Sequence, residues 1–428
     1  MSSTKNPTIT MMSKEKKFFP INTETACKLK WSWSTLYLHT GKSASCHRTA
    51  FYPLTTTNFD NFHNNEVVVN DRLRMLEGKW PDENCSYCKE IEDAGGFSDR
   101  MQHLSIPDQV PAELEKDPHA INVTPRILEI FLNNVCNLSC LYCSESNSSV
   151  IDQENIKFGK FEKNGVVLKA LGKDHSAELF PLVMNWLDKN YQHLERLHVL
   201  GGEPFFQKEF QVLLDFLSQH KNSNCEINII TNLMVPFEKL KKFIEQFKSL
   251  AVAKKIKRLD ITCSIDCFGP QQEYVRSGLN LDQWKKNFEY LVSQKWIKLN
   301  INQVITVLTI KTMPKLLEYL NTQSKTRNIG QYFSTPPAQV GPTYMHPKIL
   351  GSNEFVEDFK RIISLMRNST DEEQTMLRYM QGIISECQSG VQSPKEILKL
   401  FTFLDEKDRR RNTSWKVLFP WLEKYVVQ

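Results

Sequence analysis

The sequence predicts an α/β fold: a partial (β/α)6 TIM-like barrel, preceded by a small β-rich module that carries cysteines and followed by a helical extension. Three observations lead there. Between residues 126 and 340, six short apolar stretches alternate with helical patterns, which implies parallel strands joined by crossover helices. Four cysteines, Cys27, Cys46, Cys85 and Cys88, lie ahead of that alternation among short β-like pieces. From residue 341 onward the chain reads as helical. A chain of 428 residues also exceeds one ordinary core, so an appendage to the barrel is expected.

Residues 1–20, "MSSTKNPTITMMSKEKKFFP", are polar and read as a disordered tail. Residues 21–100 form the cysteine module, with "STLYLHT" as a β-like piece and a helix after Cys88. Residues 101–125, punctuated by prolines, read as a linker. The barrel, 126–340, opens on the strand "RILEIFL" (126–132) and continues with "LERLHVLGG" (194–202), "EINIITN" (226–232), "RLDITCSID" (258–266), "KLNINQVIT" (298–306) and "GQYFST" (330–335). Helical patterns at 177–193, 207–220, 236–255, 281–295 and 311–324 separate the later strands. Residues 144–176 are too long for a plain loop and read as an active-site insertion or a partly disordered stretch. In the extension, 341–428, "DEKDRRR" reads as a charged helix or turn.

Composition narrows the function classes. A 40% apolar and 24% charged chain fits a globular protein rather than a disordered one. Net charge is +5, which permits an anionic partner such as RNA without arguing for one, so nucleic acid is not an expected partner. No apolar run approaches the length of a membrane helix, and residues 1–20 lack the apolar centre of a signal peptide. A cytoplasmic, reducing setting is expected, where grouped cysteines bind metal more often than they pair as disulfides.

The stretch "NNVCNLSCLYCSES" packs Cys136, Cys140 and Cys143 into one loop with C-x3-C-x2-C spacing, just after the first barrel strand. Sites in parallel α/β folds lie at the carboxyl ends of strands. Three further signals fall at such ends: Gly201, Gly202, Glu203 and Pro204 after the second strand, Thr231 and Asn232 at the third, Ser264 and Asp266 at the fourth. Three thiolates are one short of a closed tetrahedral site. Either a fourth ligand lies elsewhere, as in a zinc site, or one metal corner is left open.

With the cysteine loop, an aromatic residue (Tyr142) before its last cysteine, and GGEP after the next strand, the chain resembles the radical SAM superfamily over roughly residues 126–340. The resemblance implies an enzyme. Three thiolates would hold three irons of a 4Fe–4S cluster and leave the fourth iron for S-adenosylmethionine. Reductive cleavage of that cofactor would give a 5′-deoxyadenosyl radical that takes a hydrogen atom from the substrate. The resemblance also implies roles. Gly201 and Gly202 let backbone approach the methionyl ammonium, Glu203 accepts a hydrogen bond from it, and Pro204 stiffens the turn. Asn232 lies at the same rim. Ser264 and Asp266 meet ribose hydroxyls or the carboxylate, with a helix N-cap as the rival reading. Arg276, in "YVRSG", pairs with the carboxylate, or is a surface ion pair. Tyr142 and the fifth strand's Val304 and Ile305 flank adenine.

The pattern of Cys27, Cys46, Cys85 and Cys88 resembles the twitch module, a shortened relative of the SPASM domain that carries one auxiliary 4Fe–4S cluster. Here the module precedes the barrel, whereas in better-known members it follows. A zinc ribbon is the competing reading, with His39 or His47 as substitute ligands. Cys225, Cys263, Cys267 and Cys387 read as buried thiols, Cys267 also as a reactive one if exposed. Relatives with an extra cluster often act on peptides, so a peptide or protein substrate is expected, with a small molecule next and RNA third. A one-electron donor such as flavodoxin or ferredoxin is the implied partner. A non-catalytic iron–sulfur or zinc scaffold is the alternative from outside the enzymes.

Overall fold

The computed structural model describes residues 19–426, except 94–97, 105–107, 336–341 and 352. The expected disordered tail, 1–20, lies outside the described residues apart from Phe19 and Pro20. From the N-terminus, β1 (Trp33–Tyr37), β2 (Lys42–Ala44) and β3 (Tyr52–Pro53) precede the barrel. The barrel opens with β4 (Ile127–Phe131), followed by the two-residue β5 (Ser139–Cys140) and a hairpin of β6 (Phe161–Lys163) and β7 (Val166–Leu168). Then come β8 (Arg196–Leu200), β9 (Glu226–Thr231), β10 (Arg258–Ser264), β11 (Arg276–Ser277), β12 (Lys298–Val304) and β13 (Gly330–Ser334).

The six expected barrel strands are β4, β8, β9, β10, β12 and β13, adjacent in that order and all parallel. Helices Ser176–Asn190, Lys208–Gln219, Phe237–Val252, Leu281–Ser293 and Met313–Ser324 make the crossovers. Period-2 alternation sets which strand face they cover. Leu128 and Ile130, Leu197 and Val199, Ile227 and Ile229, Leu259 and Ile261 all join one buried core with those helices. The opposite face carries a polar row at one register: Thr35, Glu129, His198, Asn228 and Asp260 are successive cross-strand partners.

The module 21–100 is joined to the barrel sheet. β1 pairs in parallel with β4, β2 pairs antiparallel with β1 and β3 antiparallel with β2, giving a nine-stranded sheet. The reason is local: β1 covers the open edge that β4 would otherwise present, and Thr35 donates a hydrogen bond of 2.9 Å to Glu129. Residues 144–176 hold the helix Ser149–Phe158 and the β6–β7 hairpin rather than a featureless loop. Two short helices, Asp99–Leu104 and Ala112–Lys116, occupy the expected linker. The extension folds as helices Val356–Leu365, Asp371–Ser389, Pro394–Arg411 and Trp415–Leu418 over a second core. No helix of the described residues is long and apolar enough to cross a membrane.

Candidate functional site

The cysteine loop leaves the carboxyl end of β4 and is clamped from three sides. Ser149, at the start of the next helix, bonds both the Cys136 amide (3.1 Å) and the Cys136 carbonyl (3.2 Å). Ser148 donates to the Leu138 carbonyl at 2.6 Å and caps the same helix. β5 pairs antiparallel with β11, which sets Cys140 opposite Arg276.

The GGEP turn packs on this loop from the β8 side. Gly201 and Gly202 have φ of +90° and +46°, and an added Cβ would lie 2.8 Å from the Asn133 carbonyl oxygen and 2.1 Å from that of Val135. Two glycines are therefore required for backbone to meet the cysteine loop. The Glu203 amide donates to the Val135 carbonyl at 2.8 Å. Pro204 starts a single 3₁₀ turn, Pro204–Phe206.

The Glu203 carboxylate is fully buried and already engaged. It accepts from the Thr231 hydroxyl (2.8 Å) and the Asn232 amide (2.7 Å) at the end of β9. Burial pushes its pKa up to about 7 against those bonds. The turn thus has backbone, rather than this carboxylate, to offer a ligand. Asn232, so fixed, aims its Nδ2 at the Cys136 sulfur (3.7 Å) and at Asn137 Oδ1 (2.9 Å).

Asp266 is likewise fully buried and satisfied. It accepts from Tyr142 Oη (2.8 Å), from Arg276 Nε (2.8 Å) and Nη2 (2.9 Å), and from the Val304 amide (2.9 Å). This bidentate pair fixes the guanidinium over the Tyr142 ring, 5.4 Å from its centroid. Arg276 Nη1 remains, pointed at the Cys140 sulfur at 4.0 Å. Arg276 is 5% exposed, which removes the surface ion-pair reading. Ser264 is buried at the end of β10. Cys136 and Cys143 each lie within electrostatic reach of Cys140, and burial pushes all three thiols up, Cys136 to about 12.

Three neighbouring thiols, two of which meet N–H donors (Cys136 from Leu138 and Asn232, Cys140 from Arg276), form a donor set suited to a thiolate-bound cluster. Residues 130–320 match the family model described as Radical SAM superfamily. That stretch is a radical SAM domain. No curated protein matches it. Among solved structures, the chain is similar to Streptococcus suis SuiB bound to precursor peptide SuiA. Identity is 17%, the match covers 58% of this chain and 52% of that one, and the TM-score is 0.33. It is similar to native anSMEcpe with bound AdoMet and Kp18Cys peptide, at 17% identity, 55% and 57% coverage and a TM-score of 0.34. A third is Streptococcus suis SuiB bound to S-adenosylmethionine, at 16% identity, 78% and 90% coverage and a TM-score of 0.34. The chain spans little more than half the length of the first two.

A second thiol group lies ahead of β4, outside the radical SAM domain. Cys27 precedes the short helix Lys28–Ser32, Cys46 follows β2, and Cys85 and Cys88 lie on the helix Asp82–Asp93, which kinks at Cys85. All four line one pocket with about 420 Å³ of empty space, part of it open to solvent. Burial pushes the thiols up, Cys85 to about 12 and Cys88 to about 11. Among the described residues, no histidine lines the pocket. His47 bonds Asp99 at 3.3 Å instead, and His39 is buried elsewhere. Cations stand around it: Lys30 pairs with Asp71 at 2.7 Å, and Arg48 pairs with Asp99 at 2.6 Å above the Tyr87 ring. Among the described residues, no three His, Cys, Asp or Glu side chains converge on a single-ion site.

Cys225, Cys263, Cys267 and Cys387 are buried as expected. Cys267 is 0% exposed, so the condition for reactivity is not met. Sequence reasoning missed the polar row. Glu129 is buried, with its pKa raised by burial, and His198 is driven well below the ordinary histidine value by the same cause. The signal was legible: one polar residue at the middle of "RILEIFL", "RLHVL" and "EINII".

Proposed function

We propose that the loop cysteines Cys136, Cys140 and Cys143 hold a 4Fe–4S cluster whose open iron takes S-adenosylmethionine, and that the enzyme abstracts hydrogen from a peptide or protein. When bound, the pair supplies a carbon radical by one-electron cleavage of the sulfonium. The observation that carries the reading is the convergence of Asn232 and Arg276 on the Cys136 and Cys140 sulfurs from two other strand ends. In this reading the Gly201–Gly202 backbone receives the methionyl ammonium. Glu203 holds Asn232 in place. Tyr142 and Val304 flank adenine, Ser264 meets ribose, and Asp266 fixes Arg276 toward the cofactor carboxylate.

The N-terminal cysteines are assigned a second 4Fe–4S cluster. The four thiols line one pocket, and their pattern resembles an auxiliary-cluster module, which supports a cluster over a zinc ion. Four thiolates leave no open corner, which favours electron transfer over substrate ligation. The peptide assignment rests on the resemblance of this second site to twitch modules.

Anaerobic reconstitution with iron, sulfide, dithionite and S-adenosylmethionine tests the enzyme reading. About eight irons per chain and 5′-deoxyadenosine are the expected results. Full iron loading with no 5′-deoxyadenosine favours a scaffold. Zinc retained at one equivalent after reconstitution removes the second cluster and leaves the first standing.

A further inference from the structure

The run "DEKDRRR", read from the sequence as a charged helix or turn, is partly folded inward. It ends the helix Pro394–Arg411, where Glu406, Lys407 and Arg410 are buried at 6%, 3% and 8% exposure. The helix leans on both flanks of the cysteine loop. Asp408 accepts from the Tyr274 hydroxyl at 2.8 Å, and Tyr274 lies two residues before Arg276, the partner of Cys140. On the other flank Arg410 reaches Asn155 at 2.9 Å, on the helix that Ser149 ties to Cys136.

Arg411 follows these anchors as the last residue of the helix. Its Nε donates to Glu154 at 2.7 Å, and its side chain is 11% exposed. Nη1 and Nη2 are both closed off from solvent and have no acceptor among the described residues. Two orphaned, solvent-shielded N–H groups on a partly buried cation are costly unless an anion answers them. Glu154 does not answer alone, because Lys407 claims its other oxygen at 2.5 Å. Arg411 is also within electrostatic reach of the Cys140 sulfur, as is Arg276.

We propose that Arg411, together with Arg276, is the counter-charge of the iron–sulfur cluster on the cysteine loop, and that it sets the reduction potential of that cluster. The proposal rests on the cluster assignment made above. Reduction moves one electron from an external one-electron donor to the cluster; no proton moves and no bond breaks. The added negative charge falls beside two guanidinium groups in a site shielded from solvent, where charge is weakly screened. Net charge and donors to the sulfurs are among the levers that set cluster potentials. Arg411 would thus lower the barrier to charging the cluster, while Glu154 opposes it.

The test is a redox titration followed by electron paramagnetic resonance on the reconstituted chain. The signal that changes on adding S-adenosylmethionine belongs to the loop. Arg411→Met is expected to lower the reduced fraction at fixed potential at least tenfold, about 59 mV. Arg411→Lys should retain most of the wild-type value, and Glu154→Gln should move the potential the opposite way. A structural clamp between Arg411 and Glu154 predicts instead that both substitutions act in the same direction, and that outcome overturns the proposal. So does a shift under threefold for Arg411→Met. If Arg411→Met fails to fold, the shape-conserving Arg411→Lys and Glu154→Gln still decide by sign. A loaded chain whose signal ignores S-adenosylmethionine overturns the cluster assignment itself; a responsive signal with unmoved potentials overturns only the role of Arg411.

Discussion

The two thiol groups are assembled in opposite ways. Cys136, Cys140 and Cys143 belong to one stretch of eight residues, and side chains just past the ends of β9 and β10 and from β11 hold that stretch. Cys27, Cys46, Cys85 and Cys88 come from three separate segments, and only a closed fold brings them to one pocket. Their surroundings differ too. The loop stands on the large barrel core, whereas the pocket belongs to a smaller cluster around Leu29, Trp31 and Met75. A preformed loop can bind and release metal without refolding. A pocket closed from distant segments draws part of its stability from the metal.

The largest expected effect separates them outright. Chelating the metal should expose amides of the helices Asp82–Asp93 and Asp99–Leu104 to hydrogen exchange while β4, β8 and β9 stay protected. Equal loss of protection in both regions would remove the distinction. Cysteine substitutions give the catalytic counterpart. Cys136→Ala should bring 5′-deoxyadenosine to background, while Cys85→Ala should remove about four irons and leave measurable cleavage.

Next come the buried supports. Lys30 and Asp71 form an ion pair with side chains 2% and 7% exposed beside the pocket. Lys30→Met strands a buried carboxylate and should cost about 3–5 kcal/mol in denaturant unfolding. On the barrel side the counterpart is steric. Gly202→Ala drives a Cβ to 2.1 Å from a backbone oxygen at positive φ, and should cost about 3 kcal/mol. A Gly202→Ala chain that keeps full stability would show that the turn can move off the loop.

The same contrast explains what the sequence disclosed. All six barrel strands and five crossover helices were legible, because period-2 and period-3.6 patterns report burial on one face directly. The cysteine loop and GGEP were legible because short spacing encodes their geometry. Partners distant in sequence were not. Nothing in "STLYLHT" says that β1 will lie parallel to β4, since pairing depends on which edge is free. Nothing in "DEKDRRR" says that Arg411 turns inward, since a charge run reads as solvated until a partner such as Glu154 is known. Asp266 and Arg276 were found as rim residues, but their bond to each other came only with the fold.

Acid should act more strongly on the N-terminal region. Burial lowers His103 to about 3 and drives His63 well down, so both must be neutral in the fold. Their folded pKa values lie below the unfolded value near 6.5. Their share of stability is therefore full above about pH 6.5 and lost as pH falls toward 3. Unfolding free energy should drop in that window, and His103→Gln should flatten the slope by roughly 2 kcal/mol at its acid end. An unchanged slope would place the acid-sensitive group elsewhere.

The smallest effect compares two tyrosines in matching positions. At each site an arginine paired with an aspartate lies over a tyrosine ring: Arg276 on Asp266 above Tyr142, and Arg48 on Asp99 above Tyr87. At the barrel the trio is sealed, and the Tyr142 hydroxyl supplies one of four bonds to Asp266. Near the pocket Arg48 and Asp99 are 28% and 24% exposed, so solvent competes for every polar contact. Tyr142→Phe should then cost about 1 kcal/mol, since three bonds still satisfy the carboxylate and the ring remains under the guanidinium. Tyr87→Phe should fall within about 0.5 kcal/mol of the parent chain. S-adenosylmethionine affinity should survive Tyr142→Phe, because flanking adenine needs the ring and not the hydroxyl. A tenfold loss of affinity would mean that the hydroxyl, through Asp266, holds Arg276 in its binding position.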